Sequence, residues 1–380
     1  MKKKSKLLSY LLPYAIVIIA YIICQLMMNK VFGLSMSRSL KGQLVPVCCW
    51  IVMAISLNLV VGVSGELSLG HAGFMSIGAF TGVVASTWLN NIGVTTLLPR
   101  MILTFIIAGA FSCVFGFLIG IPVLRLRGDY LAIVTLAFGE IIRNVLQLIY
   151  VNIDGTKLYY AFGSTHTDLP GTGIINGAAA TKLLTAVKDT EGNIVTPAVK
   201  LPTEDGFLVG FILILFTLFI VLNLIRSRSG RAIMAVRDNS IAAESNGIDV
   251  MKYRLMAFVV SATLAGMAGA LYGLNMTVDV NKFSYNQSIN VLVFVVLGGI
   301  GNITGSIISS ALLTILPEKL RFLQDYRMLI YAIVLIVVML VTNSKSLRGL
   351  GEFISGKIRT LIHGKSNSNE QDQSGKEVSE

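Results

Sequence analysis

Apolar runs of roughly the length of a membrane-crossing helix, about 20 residues, recur along this chain, and nothing else in it constrains the fold as tightly. They begin at residues 9–28 and continue at 43–63, 72–90, 101–123, 130–151, 207–225 and 254–275. In lipid every backbone N–H and C=O needs a partner within the protein, and an α-helix supplies all of them internally. The expected fold class is therefore an all-α polytopic membrane protein. Composition agrees, with 54% hydrophobic and 13% charged residues, whereas soluble domains carry about 25% charged residues.

Basic residues at the ends of the runs set the orientation, because Lys and Arg close to spans stay on the cytoplasmic side. Lys2, Lys3, Lys4 and Lys6 precede the first run, which has no small-residue cleavage site after it and is expected to remain as a span. Arg125 and Arg127 mark a second cytoplasmic turn. The long polar segment 152–206 has ten charged residues, none of them Arg, and a slightly acidic balance, which places it outside. Its length leaves room for a small substructure or an external partner.

The last third counts in two ways. Residues 288–317 are apolar but broken by Gly298-Gly-Ile-Gly-Asn-Ile-Thr-Gly305. One span would leave Lys345, Arg348, Lys357, Arg359 and Lys365 outside, and two short spans would bring them inside. The charge rule favours two. With a last span at 327–342, the expectation is about ten transmembrane helices, some short or glycine-interrupted, and both termini in the cytoplasm. The expected transmembrane domain is 1–343. Beyond it, 344–364 has the spacing of an interfacial amphipathic helix, and 365–380 the composition of a disordered tail.

The cytoplasmic loop 226–253 carries more specific information. Arg226, Arg228, Arg231 and Arg237 face Asp238, Glu244 and Asp249 in number, and the loop contains its own helix signals. Asp238, Asn239 and Ser240 are N-cap residues, 241–246 allow about two turns, and Gly247 supplies a stop. A short folded helix in a cytoplasmic loop is expected to meet a partner. The bland alternative is a solvated connector whose arginines only set topology.

Four motifs carry a family resemblance over about 43–343. They are Gly65-Glu-Leu-Ser-Leu-Gly-His-Ala-Gly-Phe74, Leu124-Arg-Leu-Arg-Gly-Asp129 with its continuation to Arg143, Gly230-Arg-Ala-Ile-Met-Ala-Val-Arg-Asp-Asn through Ala-Ala-Glu to Ile248, and Val296-Leu-Gly-Gly-Ile-Gly301. The chain resembles the LivM-type permease subunits of branched-chain amino acid ABC importers. That resemblance implies a complex of this subunit, a second homologous permease, two ABC ATPase subunits and an extracytoplasmic solute-binding protein, in a bacterial cytoplasmic (inner) membrane. It implies docking of the 242–247 helix into an ATPase groove, with Ala242 and Ala243 as the close-approach face. Arg231, Arg237, Asp238, Glu244 and Gly247 complete the coupling set.

Candidates for the translocation path are the paired glycine-rich interruptions, with Gly65, Gly70 and His71 in the first and Gly298, Gly299 and Gly301 in the second. Unwound backbone at membrane depth is tolerated where protein buries it or a wet cavity abuts it, so path and close packing both stay open. For Gly78-x-x-x-Gly82 and the stripe Ser261, Ala265, Gly269, Gly273, packing is the expectation. Glu140 and Arg143 lie three apart inside an apolar run. They either line a polar path or satisfy each other and lock two helices.

Other chemistries find no footing in the sequence. There is no P-loop motif, so nucleotide binding falls to partner subunits and no cofactor is expected. The histidines, His71, His166 and His363, have no catalytic or metal-ligating neighbours in sequence. The net charge of +11 sits at span ends and does not point to nucleic acid. Cys24, Cys48, Cys49 and Cys113 lie in apolar runs and are expected to be buried thiols. Two alternatives remain. One is a related permease for urea, short amides or another small solute. The other is an ion-coupled secondary transporter, which would want several intramembrane acids where only Glu140 stands clear.

Overall fold

A computed structural model describes residues 2–28, 37–126, 128–163, 170–179, 181, 187–188, 194–196, 201–320, 326, 329–333 and 335–336. Eleven α-helices appear among them: α1 Lys2–Met28, α2 Arg38–Asn58, α3 His71–Asn91, α4 Leu97–Val123, α5 Asp129–Gln147, α6 Thr203–Arg226, α7 Arg228–Asp238, α8 Ser240–Ser245, α9 Val250–Asn275, α10 Tyr285–Gly298 and α11 Ile303–Lys319. A π-helical turn, Leu59–Ser64, extends α2. The chain divides into a unit up to Glu318 and a second from Lys319. In the second, residues 329–333 and 335–336 are helical, and Leu329, Ile333 and Ile336 are exposed. The expected amphipathic helix at 344–364 and the tail at 365–380 lie outside the described residues, as do Arg127, His166 and His363.

Six of the described helices are long and apolar enough to cross a membrane. The expected count of ten is higher, for three physical reasons. The helix α5 carries Asp129, Glu140 and Arg143 in 19 residues. The helices α10 and α11 run for only 14 and 17 residues. Most of the expected last span lies outside the described residues.

The centre of the fold is the stretch Ser39–Ser64, buried from Leu44 to Ser64 except at the half-buried Trp50. Around α2 pack α6, α9 and α10. On the other side of α9, α3 and α4 complete the core. Lipid tails are as apolar as the side chains, so helices associate here through close packing rather than a hydrophobic driving force. The small-residue stripe on α9 does this work. A Cβ on Gly78 would collide with the Gly266 backbone, and Gly269 and Gly273 lie against the carbonyls of Met75 and Ala79. Ser261 turns the other way, its hydroxyl donating to the Ser56 carbonyl at 2.6 Å. The packing expectation for this stripe describes what is seen.

The described parts of the polar segment contain strands. The helix α5 ends at Gln147, short of the expected 151, and β1 Ile149–Asp154 follows at once. It pairs antiparallel with β2 Lys157–Phe162 and β3 Thr172–Asn176, in the order β2-β1-β3. A second small pair joins β4 Val187–Lys188 to β5 Ile194–Thr196. The β-branched run Ile-Tyr-Val-Asn-Ile favours the extended chain once no further helical neighbour is available. The β1–β2 turn is tied to the end of α3, since Asn91 donates to the Gly155 carbonyl at 2.8 Å.

Between α10 and α11 the chain reverses. Gly299 and Gly301 both adopt positive φ, +91° and +82°, which β-carbon-bearing residues rarely tolerate. Gly301 meets Gly62 at one end of the central stretch, and Glu318 accepts a hydrogen bond from Ser39 at its other end. The helix α11 therefore runs antiparallel to α2, so 288–317 forms a hairpin of two short helices rather than one span.

Candidate functional site

The site begins where α2 stops being α-helical. From Leu59 the backbone widens into a π-turn and ends at Gly65, φ +77°, whose N–H bonds the Val60 carbonyl. Such turns are rare and recur at functional positions. The last four carbonyls of a helix have no partner within it, and that of Gly62 is taken by Arg237 from α7, whose Nη1 donates at 2.9 Å. The same guanidinium pairs with Asp238 at 2.9 Å, and its aliphatic stem lies against Gly65. One residue on, buried Glu66 lies 2.7 Å from Arg254 of α9. Burial raises the Glu66 carboxyl above its usual range, and the Arg254 charge works against that rise.

Asn58, fully buried, joins the two glycine-rich interruptions. Its Oδ1 accepts from the Gly301 N–H at 2.8 Å, and its Nδ2 donates to Ser306 Oγ at 2.9 Å. A Cβ on Gly62 would collide with the Gly301 backbone. Gly298 packs on Gly305 across the hairpin, and Gly70 on the Thr135 carbonyl of α5. His71 opens α3, buried, with Nε2 2.8 Å from Ser56 Oγ. Ser288 of α10 accepts from the Ala72 N–H at 3.0 Å. Among the described residues, the buried hydroxyls of Ser64 and Ser68 have no hydrogen-bond partner. So the interruptions that lie some 240 residues apart in sequence form one polar, glycine-lined cluster at one end of the helices.

Glu140 and Arg143 stand beside the Gly70 side of this cluster, since the neighbouring Gly139 packs on Gly70 and Gly73. Their side chains pair at 2.8 Å and are about one quarter exposed. Glu140 also accepts from the Tyr285 N–H at 2.9 Å, and Arg143 donates to Asn281 at 3.3 Å. The pair thus locks α5 to the start of α10. Since α10 has 14 residues, the lock lies about 20 Å from the hairpin glycines.

The loop helix forms where the capping residues placed it. The Asn239 side chain accepts from the N–H groups of Ile241 and Ala242, and Gly247 leaves the helix at φ +77°. An additional helix, α7, precedes it, capped by Ser227. One expectation needs correction and another an addition. Ala243 is buried against the protein, so the presented face is Ile241, 75% exposed, with Ala242, Glu244 and Ser245. Arg237 stays 39% exposed, yet its Nη1 spans to the Gly62 carbonyl, so it is a link to the protein as well as a rim charge. Arg231 is exposed and bonds the Arg226 carbonyl at 3.1 Å. Beneath α8, a cleft of about 420 Å³ is lined by Arg125, Ser240, Glu244, Asp249 and Arg254.

Sequence reasoning missed Asn58, the π-turn, the Glu66–Arg254 contact and Arg100. Apart from Gln43 at its start, Asn58 is the one amide in the apolar run 43–63, a visible signal. Arg100 is buried near the start of α4 and donates to Asn90 at 2.8 Å, and nothing in its spacing gave that partner away.

The class that fold and site define is a multi-pass membrane protein with a buried, polar, unwound interior and a folded helical loop at one end. A family model described as the permease component of branched-chain amino acid transport systems matches residues 40–339, and the chain belongs to that family. It is similar to the high-affinity branched-chain amino acid transport system permease protein LivM of Salmonella typhimurium, 36% identical over 296 residues, 77% of this chain and 66% of the relative. LivM of Escherichia coli is 35% identical over the same shares. BraD of Pseudomonas aeruginosa, another permease of this kind, is 25% identical over 263 residues, 69% of this chain and 78% of the relative. The matched stretch covers 66%, just under two thirds, of the LivM proteins' length. No solved structure matches the chain.

Proposed function

We propose that this chain is a membrane-spanning permease subunit of an ATP-driven importer, and that its solute is a branched-chain amino acid handed over by an extracytoplasmic binding protein. Family membership supports the class, and the names of LivM and BraD support the solute. In this reading a second homologous permease completes the membrane part, and separate ATPase subunits hydrolyse ATP. The α7–α8 end faces the cytoplasm together with both termini, the sheet faces outward, and the membrane is the bacterial inner one. The basic residues near 2–6, 125 and 226–254 support that orientation. The cluster at Asn58, Gly62, His71 and Gly301 is the polar lining that a passage needs. The Glu140–Arg143 pair is a lock rather than a lining.

The observation that carries the reading is α8. It is a six-residue helix, too short to be stable alone, held by its cap and by the buried Ala243 so that Ile241 and Ala242 face away from the protein. With Ile241 75% exposed beside the exposed Ala242, the helix offers a small apolar face for a partner groove to cover. The test is co-purification with ATPase subunits from the same cell. Truncating or blocking the centre of an interface costs above about 2 kcal/mol, or about 30-fold in affinity. Ile241→Arg is therefore expected to strip the ATPases while the chain still inserts. Full retention of the ATPases by this variant would sink the docking assignment.

A further inference from the structure

The helix α7 does more than lead into α8. Its last turn carries one half-exposed side chain, Arg237, whose guanidinium bridges Asp238 and the carbonyl of Gly62. Gly62 is the residue whose other side is pressed against Gly301, the turn between α10 and α11. Asn58, one helical turn earlier, holds the same turn through the Gly301 N–H and α11 through Ser306. A single π-turn is thus gripped from the loop side by Arg237 and from the hairpin side by Gly301, which Asn58 at the start of the turn also holds.

We propose that Arg237 is the strut that passes movement of the α7–α8 surface to the α10–α11 hairpin, with the π-turn Leu59–Ser64 as the element that yields. This rests on the reading of α8 as an ATPase-docking helix. Three features support it. Arg237 is a positioning residue whose planar fork engages Asp238 through Nε and Nη2 while Nη1 holds Gly62, so the link has a fixed direction that a lysine could not reproduce. The π-turn is a local departure from the α-helical ladder, of the kind that recurs at functional sites, and it ends at a positive-φ glycine, Gly65. The Gly62–Gly301 approach leaves no side chain between the backbones to absorb a displacement. A shift at one is therefore felt at the other.

The test uses the complete complex in proteoliposomes. Arg237→Met keeps an unbranched apolar stem against Gly65 and removes the charge and the donors. The expected result is that ATPases remain bound, the ratio of solute-stimulated to unstimulated hydrolysis falls to about one, and transport drops at least tenfold. Arg237→Lys should recover only part. Hydrogen exchange over 298–305 supplies a readout that a purely structural role would not move. Nucleotide should change exchange there in the wild type and leave it unchanged in Arg237→Met. A normal stimulation ratio in the variant overturns the proposal. So does loss of the ATPases, which would make Arg237 a docking residue instead. If Arg237→Met does not accumulate in the membrane, Arg237→Lys is read by the same two measurements. Failure of the underlying reading shows separately, as a wild-type chain that retains no ATPase.

Discussion

Asn58 shows how much a single buried amide can decide. It satisfies a backbone donor at a positive-φ glycine and a serine on the next helix at once. Replacing it with alanine removes both hydrogen bonds from a fully buried position, each worth about 0.5–1.5 kcal/mol. Asn58→Ala is expected to lower the thermal midpoint in detergent and to expose the hairpin to exchange, whereas Ser261→Ala should cost only about 0.6 kcal/mol, the average for hydrogen bonds between membrane helices. Equal effects of the two would show that the amide holds nothing together. The Glu140 carboxylate carries two bonds in the same way. Removing it strands Arg143 in a poorly solvated place, which is worse than removing both charges. Glu140→Ala is therefore expected to lower folded yield and transport more than the double change Glu140→Gln, Arg143→Gln. Wild-type behaviour of both variants would remove the lock.

At the level of elements, α8 depends on its ends. A six-residue helix gains little from propagation, so the Asn239 cap, worth about 1 kcal/mol, and the Gly247 exit settle whether it forms. Gly247→Val places a β-branched side chain at a φ of +77°, which strains the turn. On the proposed docking of ATPase subunits to α8, their binding should weaken in Asn239→Ala and more so in Gly247→Val, with insertion of the chain unchanged. Affinity equal to wild type in both would mean that the partner does not read a helix there. The α10–α11 hairpin follows a different logic. Each arm is too short to be a full span, and each is held by polar or glycine contacts to the central stretch instead of by length.

For the molecule as a whole, the testable quantity is orientation. The sheet and the α7–α8 loop lie at opposite ends of α3 and α9, so they must fall on opposite sides of the membrane if those helices cross it. A cysteine placed at 188 should react with an impermeant reagent added to intact cells, and one at Ser245 only after the membrane is opened. Labelling at 245 alone in intact cells would reverse the orientation.

The sequence by itself determined what depends on local rules. Apolar runs fixed α1 to α4, α6 and α9, because lipid leaves the backbone no other way to satisfy its polar groups. The capping residues fixed α8, since Asn239 and Gly247 act within four residues of themselves. Charge at the span ends carried the expected orientation. The tertiary structure alone decided what depends on distant neighbours. The meeting of Gly62 with Gly301 joins residues whose glycines read only as breaks, because a glycine says that something approaches and not what approaches. The bond of Arg237 to Gly62 followed from a carbonyl that the end of another helix leaves free, and the burial of Ala243 from the helices behind it. At the end of α5 a run that reads as apolar helix becomes a strand, since β2 and β3 offer its backbone partners that no local rule could announce.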